Sequence, residues 1–377
     1  MEKIHPFKEP IYVTRPILPD TAAFYGRLDE VWKAQWLTNN GAQHQLLEEK
    51  LREVLKVPSL SLFNNGTIAL IVAVQSLRLS GEVITTPFTF AATPHVLSWN
   101  NIKPIFCDID PKTLTIDAGK IESMITPKTT AILGVHVYGV PCDVERIQAI
   151  ADKYGLRVIY DAAHAFGTEL GGVGIGNWGD ITMFSFHATK LFHTGEGGAL
   201  CFRDPNLKAR VDLLKNFGIK SEDEVVMPGI NGKMNEIQAA LGLSVLGELR
   251  AEREKRQALL DVYTEKLSKI EGVSLLPVIP NSVNSLQYFI IRIDEKVFGN
   301  SRDYVYAKLK EYNVFTRKYF YPLCSDYACY SQLPSSSKEN LPVANRAVKE
   351  VLALPFYGGL PVETASQICE IIGGLKK

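Results

Sequence analysis

The stretch SFHATKLFHTGEGGAL (residues 185–200) places a lysine, Lys190, in an unusual setting. Residues 180–186 are mostly apolar or β-branched and predict a short buried strand, and three glycines follow the lysine within residues 195–198. An amine that forms a Schiff base must lose its proton, and desolvation lowers the pKa of a lysine. A lysine at the mouth of a strand is therefore a candidate for covalent chemistry, and an ordinary solvated lysine in a surface loop is the alternative.

Two other sites along the chain have backbone or side-chain groups that suit the same chemistry. Gly66 and Thr67 follow the apolar run SLSLF and open a helix, where free N–H groups and the helix dipole favour a phosphate. The same residues also suit an ordinary turn with a helix cap. Asp161 ends the run LRVIYD, at the edge where ligands of open α/β sheets bind, although it could instead cap the turn that follows.

The three sites occur in an order that fits pyridoxal 5'-phosphate (PLP). In such a site a helix start holds the phosphate, a carboxylate keeps the pyridine nitrogen protonated, and a lysine holds the aldehyde. Gly66 and Thr67, Asp161 and Lys190 match these three requirements in chain order. The sequence therefore predicts a PLP site.

The elements needed to position these residues follow from the hydrophobic pattern. Between residues 59 and 212, short apolar runs alternate with helical patterns, which is typical of βαβ units and predicts an α/β fold with a mostly parallel sheet covered on both faces. An amphipathic segment, 235–267, predicts a long connecting helix. We expect a large domain, 1–245, whose first 40 residues wrap over a neighbouring surface, and a smaller α+β domain, 246–377.

Bulk composition excludes several classes of function. The chain has 377 residues and balanced charge, with 41 Lys+Arg and 41 Asp+Glu, which argues against nucleic acid or an anionic membrane as the main partner. The 6 cysteines form no CxxC pair, so neither a disulfide framework nor a zinc site is indicated, and we expect no metal. No apolar run is long enough to span a bilayer, and we expect a cytoplasmic protein.

The glycines at 172, 174 and 176 imitate a dinucleotide-binding loop. A dinucleotide loop follows the first strand of a βαβ unit and opens a helix, whereas this run precedes NWGD and predicts a hairpin turn. An NAD-dependent sugar oxidoreductase, which has no other support, is therefore disfavoured.

Taken together, the motifs resemble the sugar-nucleotide aminotransferases of the DegT/StrS type, which are PLP enzymes of fold type I. The similarity covers nearly the whole chain. The motifs that carry it are WLTNNG (36–41), NNGTIAL (64–70), TPFTFAAT (86–93), VHVYG (135–139), DAAHAFG (161–167), SFHATK (185–190), EGGA (196–199), GINGKMNEIQAA (229–240) and YFYPL (319–323).

This resemblance implies a role for each matching residue. Lys190 would bind the cofactor covalently and later move protons, and Asp161 would pair with the pyridine nitrogen. The resemblance further implies that the phosphate is held by Gly66, Thr67 and Ser185, and that Asn231 reaches the phosphate of a neighbouring subunit in a homodimer with shared active sites.

Phe90 would stack on the cofactor ring, with a place in the apolar core as its alternative. Asn231 could be only a turn residue. The resemblance implies that His164 lies near the ring hydroxyl of the cofactor, where many members have glutamine. Its protonation would then influence the electronic state of the pyridine ring.

The resemblance also implies a substrate. The combination of residues 36–41 with FHATK and EGGA is most similar to the branch that converts dTDP-4-keto-6-deoxyglucose and L-glutamate to dTDP-4-amino-4,6-dideoxyglucose. We expect five residues near the sugar nucleotide: Thr38, His187, Lys233, Arg317 and Tyr321. Lys233 and Arg317 suit a diphosphate, although both could be solvated surface charges.

Two further enzymes and one further class remain as alternatives. A 3-keto-sugar aminotransferase or a perosamine-type synthase acting on a GDP-linked sugar would use the same cofactor site. A PLP-binding regulator without catalysis is disfavoured because the chain has no added basic helix-turn-helix segment or acidic tail. We expect the product to enter a polysaccharide, such as O-antigen, or a related glycosylated compound.

Overall fold

The computed structural model describes residues 5–377. Its helices are α1 (Thr21–Ala34), α2 (Ala42–Leu55), α3 (Gly66–Ser76), α4 (Ala92–Trp99), α5 (Ala118–Ile121), α6 (Val144–Tyr154), α7 (Asn206–Leu214), α8 (Glu236–Leu267), α9 (Glu295–Phe298), α10 (Arg302–Glu311), α11 (Pro342–Glu350) and α12 (Val362–Gly374). None of the helices within the described residues has the length and apolar character that crossing a membrane requires.

The strands of the described residues form one large sheet and several small ones. They are β1 (Ile11–Tyr12), β2 (Leu60–Phe63), β3 (Glu82–Thr85), β4 (Lys103–Phe106), β5 (Thr129–Val135), β6 (Arg157–Asp161), β7 (Glu169–Leu170), β8 (Val173–Gly174), β9 (Ile181–Ser185), β10 (Gly198–Phe202), β11 (Ile219–Ser221), β12 (Glu224–Val225), β13 (Val273–Leu275), β14 (Ser282–Val283), β15 (Phe289–Ile293), β16 (Val314–Phe315) and β17 (Val351–Leu354).

The large sheet has 7 strands in the order β2-β10-β9-β6-β5-β3-β4, and only β10 runs against its neighbours. Successive residues of each strand enter different cores, as the alternation of side chains requires. Val83, Leu133 and Ile159 pack on the α3 side, whereas Ile84 and Ile132 pack on the α6 side. The predicted α/β fold with a mostly parallel sheet covered on both faces is confirmed.

Parallel pairing brings the ends of two strands together at one edge of the sheet. β6 pairs with β9 in a register that places Asp161 beside Met183, two residues before Ser185. β3 and β5 end at the same edge. Because α3 begins 3 residues after β2 ends, its first turn lies at this edge as well.

The C-terminal part contains the antiparallel sheet β13-β15-β17 with its own apolar core, and the 32-residue α8 leads into it. The predicted helix 235–267 is confirmed, with Asn235 as its cap. The first described residues also belong to this part of the structure, because β1 pairs with β16. The domain boundary near residue 245 stays a prediction.

The proline-punctuated lead-in contains a helix that its sequence did not indicate. Asp20 begins α1 by accepting a hydrogen bond from the Ala23 N–H at 2.9 Å. The glycine run at 172–176 is a hairpin, as predicted, because β7 pairs with β8 and the turn residues Gly171 and Gly172 have φ of 59° and 78°.

A buried carboxylate joins the large sheet to the C-terminal part. Asp108, whose side chain is inaccessible to solvent, accepts hydrogen bonds from the first turn of α11, at 3.1 Å from the Val343 N–H and 2.9 Å from the Ala344 N–H. Lys120 donates to the same carboxylate at 2.9 Å.

Replacing Asp108 by alanine is expected to lower the free energy of unfolding by about 3 kcal/mol, because two helix N–H groups and the Lys120 amine lose a buried charged partner. Thermal unfolding measures the change. Asp223→Ala, an exposed residue in the turn between β11 and β12, is the control and should unfold like the wild type. Equal stability of the two variants would contradict this account of Asp108.

Candidate active site

A cavity of about 670 Å³ opens at the edge of the sheet where β5, β6 and β9 end. Residues of the C-terminal part form its opposite wall. The lining residues are Asn65, Gly66, Thr67, Ile68, Thr89, Phe90, Ala92, Val135, Asp161, Ala163, His164, Met183, Ser185, His187, Thr189, Lys190, Glu196, Tyr288, Tyr319 and Phe320. We call this space the lysine cavity.

Lys190 enters the cavity from a tightly held turn. Gln287, which is buried, accepts a hydrogen bond from the Leu191 N–H at 2.6 Å and donates to the Thr189 carbonyl at 3.0 Å. The peptides on both sides of Lys190 are therefore fixed by one side chain. The lysine Nζ lies 5.9 Å from the centroid of the Tyr288 ring.

The surroundings of Lys190 make its amine easier to deprotonate. Burial lowers the pKa of Lys190 to about 8, although the negative charge of Asp161 and the Tyr319 hydroxyl act in the opposite direction. A substantial fraction of this amine is neutral near pH 8, as nucleophilic chemistry requires.

Asp161 is the last residue of β6 and is 5% exposed. Its Oδ2 accepts a hydrogen bond from the Thr93 hydroxyl at 2.8 Å, and its Oδ1 accepts one from the Ala163 N–H at 3.0 Å. Burial raises the pKa of Asp161, and these two donors and Lys190 oppose the rise. The carboxylate is thus fixed in orientation and buried at the cavity wall, where a cationic partner would be favoured.

His164 is buried on the same wall with a defined proton position. The Tyr138 N–H donates to its Nδ1 at 3.1 Å, which leaves the proton of the neutral ring on Nε2. Burial, with a contribution from Lys190, holds the pKa of His164 well below its ordinary value. The imidazole therefore remains a neutral hydrogen-bond donor at physiological pH.

The first turn of α3 forms a candidate anion site. The Asn65 side chain caps the helix by accepting from the Ile68 N–H at 2.8 Å, so the N–H groups of Gly66 and Thr67 are not used by this cap. A Cβ at Gly66 would lie 3.1 Å from the Ser185 Cβ, so glycine allows the helix start to approach the end of β9. The helix dipole favours an anion at this position.

Two more of the predicted site residues line the lysine cavity. Phe90 is 62% exposed, so the alternative that it belongs to the apolar core is wrong, while its stacking role stays a prediction. His187 lies on the wall with its Nε2 3.6 Å from the Glu196 Oε1. Seven of the predicted residues, together with Lys190, therefore share this cavity: Gly66, Thr67, Phe90, Asp161, His164, Ser185 and His187.

The remaining predicted residues lie elsewhere in this chain. Lys233 donates to the Asn216 side chain and lines a second cavity, of about 430 Å³, together with Asn39 and Asn40, the neighbours of Thr38. Burial and the nearby Lys215 lower the pKa of Lys233. The other four predicted residues line neither cavity: Thr38, Asn231, Arg317 and Tyr321.

Those other residues are all exposed. Thr38 lies between α1 and α2, and Asn231 forms an isolated β-bridge with Asn216. Arg317 and Tyr321 flank Tyr319 and Phe320, which do line the lysine cavity. Arg317 also exchanges backbone hydrogen bonds with Ala353.

Several residues that line the cavity, or that hydrogen-bond to Asp161 or to the turn of Lys190, were not predicted. Gln287 and Tyr288 carry no local signal, because they come from a strand-like run about a hundred residues after Lys190. Thr93 and Tyr319 lie inside the motifs TPFTFAAT and YFYPL, where the motif itself was the available signal. Among the described residues no group of three His, Cys, Asp or Glu side chains is placed to hold a metal ion.

Comparisons with known proteins agree with this geometry. The family described as DegT/DnrJ/EryC1/StrS aminotransferase matches residues 20–373. A "dTDP-4-amino-4,6-dideoxy-D-glucose transaminase" of Escherichia coli is 48% identical, with 97% of this chain and 98% of that protein covered. A protein of the same name from Shigella dysenteriae is 44% identical, with 98% and 100% covered.

Solved structures show the same similarity. DesI, crystallised in the presence of its TDP-sugar product, has a TM-score of 0.93 and 36% identity, with 98% of this chain and 94% of that chain covered. PseC of Helicobacter pylori, described as an aminotransferase of pseudoaminic acid biosynthesis, has a TM-score of 0.90 and 27% identity, with 98% and 99% covered.

The lowered pKa of Lys190 can be measured in protein freed of bound carbonyl compounds. Trace acetylation followed by peptide mass spectrometry should give a rate at Lys190 that rises with pH through a midpoint near 8. Lys50 is the control, because its ion pair with Glu53 raises the pKa of that exposed amine. In Asp161→Asn the Lys190 midpoint should move lower, because a nearby negative charge is lost. A wild-type midpoint above 10 would contradict the description of this site.

Proposed function

The chain belongs to the DegT/DnrJ/EryC1/StrS aminotransferase family, and from this premise we propose that it makes dTDP-4-amino-4,6-dideoxy-D-glucose. The substrate is dTDP-4-keto-6-deoxy-D-glucose, the amino donor is L-glutamate and the cofactor is PLP. The chain is a sugar-nucleotide transaminase. The observation that carries the proposal is the shared cavity of Lys190, Asp161 and the α3 start, in a chain 48% identical to a transaminase of that name.

The lysine cavity fits PLP in three respects. The free end of α3 with Thr67 and Ser185 suits a phosphate, the buried Asp161 suits a protonated pyridine nitrogen, and the Lys190 amine suits an aldehyde. The Nε2–H of His164 is available for the ring hydroxyl, and Phe90 for the ring face. When bound, PLP supplies an electron sink that stabilises the carbanion formed on the amino donor and on the sugar.

Proton transfer and the orientation of charge in the cavity depend on side chains of this chain. Lys190, with its lowered pKa, takes the α-proton of L-glutamate at Nζ and later returns a proton to C4 of the sugar. Asp161 keeps its orientation through Thr93 and Ala163, so its negative charge stays directed at one point of the cavity. Tyr288 and Phe320, which are both buried, add aromatic surface to the cavity wall.

The charge of the lysine cavity supports a homodimer with shared sites. Lys190 is the only lysine or arginine among its lining residues within the described chain, yet the diphosphate of a nucleotide sugar requires cations. Asn231 is exposed, and Lys233 lies in the separate second cavity. We propose that a second subunit brings both residues, with Thr38, to the lysine cavity, where Arg317 and Tyr321 flank the substrate. A cytoplasmic location stays a prediction.

The reaction is tested by incubating the PLP-loaded enzyme with dTDP-4-keto-6-deoxy-D-glucose and L-glutamate. Mass spectrometry should detect the amino sugar, and NMR should place the nitrogen on C4. A GDP-linked 4-keto sugar and the 3-keto isomer serve as comparison substrates and should react much more slowly. Nitrogen on C3, or faster turnover of the GDP sugar, would replace the proposed substrate with one of the alternatives.

Replacing Lys190 by alanine is expected to abolish turnover, because the amine that binds the cofactor and moves the protons is removed. The purified variant should also lack the visible absorbance band of covalently bound PLP. Lys50→Ala, at an exposed position on α2, is the control and should keep both the band and the activity. An active Lys190→Ala enzyme would show that the site is wrongly assigned.

A further inference from the structure

Residues 35–41 join α1 to α2 in a conformation that is costly for most side chains. Gln35, Asn39 and Asn40 have φ of 53°, 61° and 60°, in the left-handed region. Trp36 and Leu37 are 52% and 53% exposed. A strained and exposed segment keeps one conformation only when its surroundings fix it, and such segments concentrate at binding sites.

Glu236, the first residue of α8, holds the segment 35–41 and the start of α2 through hydrogen bonds. It is 2% exposed, and its backbone N–H donates to the Leu37 carbonyl at 3.0 Å. Its Oε2 accepts from the Gln43 N–H at 2.8 Å and its Oε1 from the His44 N–H at 3.1 Å. The N-cap of α2, Gly41, has no side chain, so Glu236 caps α2 from another helix.

The same turn of α8 is attached to the lysine cavity. The Gln238 Nε2 donates to the Glu196 carbonyl at 2.6 Å and to the Asn64 carbonyl at 3.3 Å. Glu196 lines that cavity, and Asn64 lies two residues before Gly66. The segment 35–41 is therefore tied through the start of α8 to the loops that surround the proposed cofactor site.

The start of α8 also fixes the position of the segment 35–41 relative to Lys233, which precedes Glu236 by three residues. Asn39, Asn40 and Lys233 line the second cavity together. At the far end of the segment, the Gln45 side chain donates to the Asn40 carbonyl at 2.8 Å. Both ends of the exposed stretch are held, and the side chains between them project from a fixed backbone.

We propose that Glu236 is a positioning residue for the nucleotide sugar: it holds residues 35–41 so that Thr38, Asn39 and Lys233 form one binding surface. The inference rests on the proposed function. L-Glutamate carries no nucleotide, so its half-reaction does not use this surface. Displacing Glu236 therefore weakens the second half-reaction and leaves the first one intact.

Gly41 allows Glu236 to be displaced without changing it. A Cβ at Gly41 would lie 2.6 Å from the Glu236 Cδ, 2.7 Å from its Oε2 and 2.6 Å from the Trp36 Cδ1. Gly41 has φ of −74° and ψ of −172°, which alanine adopts without strain, so the effect of Gly41→Ala is steric. Gly247, within α8, has no atom within 4 Å of a built Cβ, and Gly247→Ala is the matched control.

The experiment compares PLP-loaded wild type, Gly41→Ala, Gly247→Ala and Glu236→Gln. Glu236→Gln replaces one acceptor oxygen by an NH₂ group that faces a backbone N–H. Titration calorimetry gives the Kd for dTDP, steady-state kinetics give the KM for dTDP-4-keto-6-deoxy-D-glucose, and the absorbance change on adding L-glutamate gives the rate of the first half-reaction. Thermal unfolding is followed in parallel.

In Gly41→Ala and Glu236→Gln, Kd and KM should rise about tenfold or more, because a displacement of about 1 Å misplaces the binding groups. The glutamate half-reaction should stay within about twofold of wild type, and Gly247→Ala should match wild type in Kd, KM and the rate of the half-reaction.

Wild-type Kd and KM in Gly41→Ala would overturn the role of Glu236 and leave the proposed function standing. A parallel loss of both half-reactions with a lower melting temperature would reduce Glu236 to a structural cap and also overturn it. If wild type neither binds dTDP nor converts the sugar, the proposed function fails and the inference fails with it.

Discussion

The site depends on the burial of the Lys190 amine and the Asp161 carboxylate in one cavity. An exposed ion pair would raise the pKa of the lysine and lower that of the aspartate. In this site burial lowers the pKa of Lys190 and raises that of Asp161, so desolvation outweighs their mutual attraction. The amine is thereby available as a nucleophile and base, and the carboxylate is left in need of a different cation. In the proposed function, the protonated pyridine of PLP supplies that cation.

Two parts of the chain must meet for this burial to occur. The ends of β6 and β9 deliver Asp161 and the turn before Lys190 to one edge of the sheet. The C-terminal part contributes Tyr288, Tyr319 and Phe320 to the cavity wall. Its Gln287 also holds the peptides on both sides of Lys190. The buried Asp108 joins the same two parts at another point. The C-terminal part is therefore a component of the site.

Much of this arrangement could be predicted from local sequence. Asp161 and Gly66 stand at the ends of apolar runs, and the ends of parallel strands meet by necessity. Gln287 and Tyr288 could not be found in this way, because their contacts with the Lys190 turn join distant parts of the chain. The tautomer of His164 was equally inaccessible, since it depends on the Tyr138 N–H. Thr38 and Lys233 were expected near the substrate, but they lie outside the lysine cavity of this chain, and in the proposed function a second subunit brings them to it.

The proposed function requires that Lys190, and no other lysine, binds PLP covalently. Borohydride reduction of the PLP-loaded enzyme, followed by proteolysis and mass spectrometry, identifies the lysine that carries the pyridoxyl group. Stoichiometric modification of Lys190 and of no other lysine is expected. Modification of another lysine, or a reduced protein with no pyridoxyl group, would contradict it.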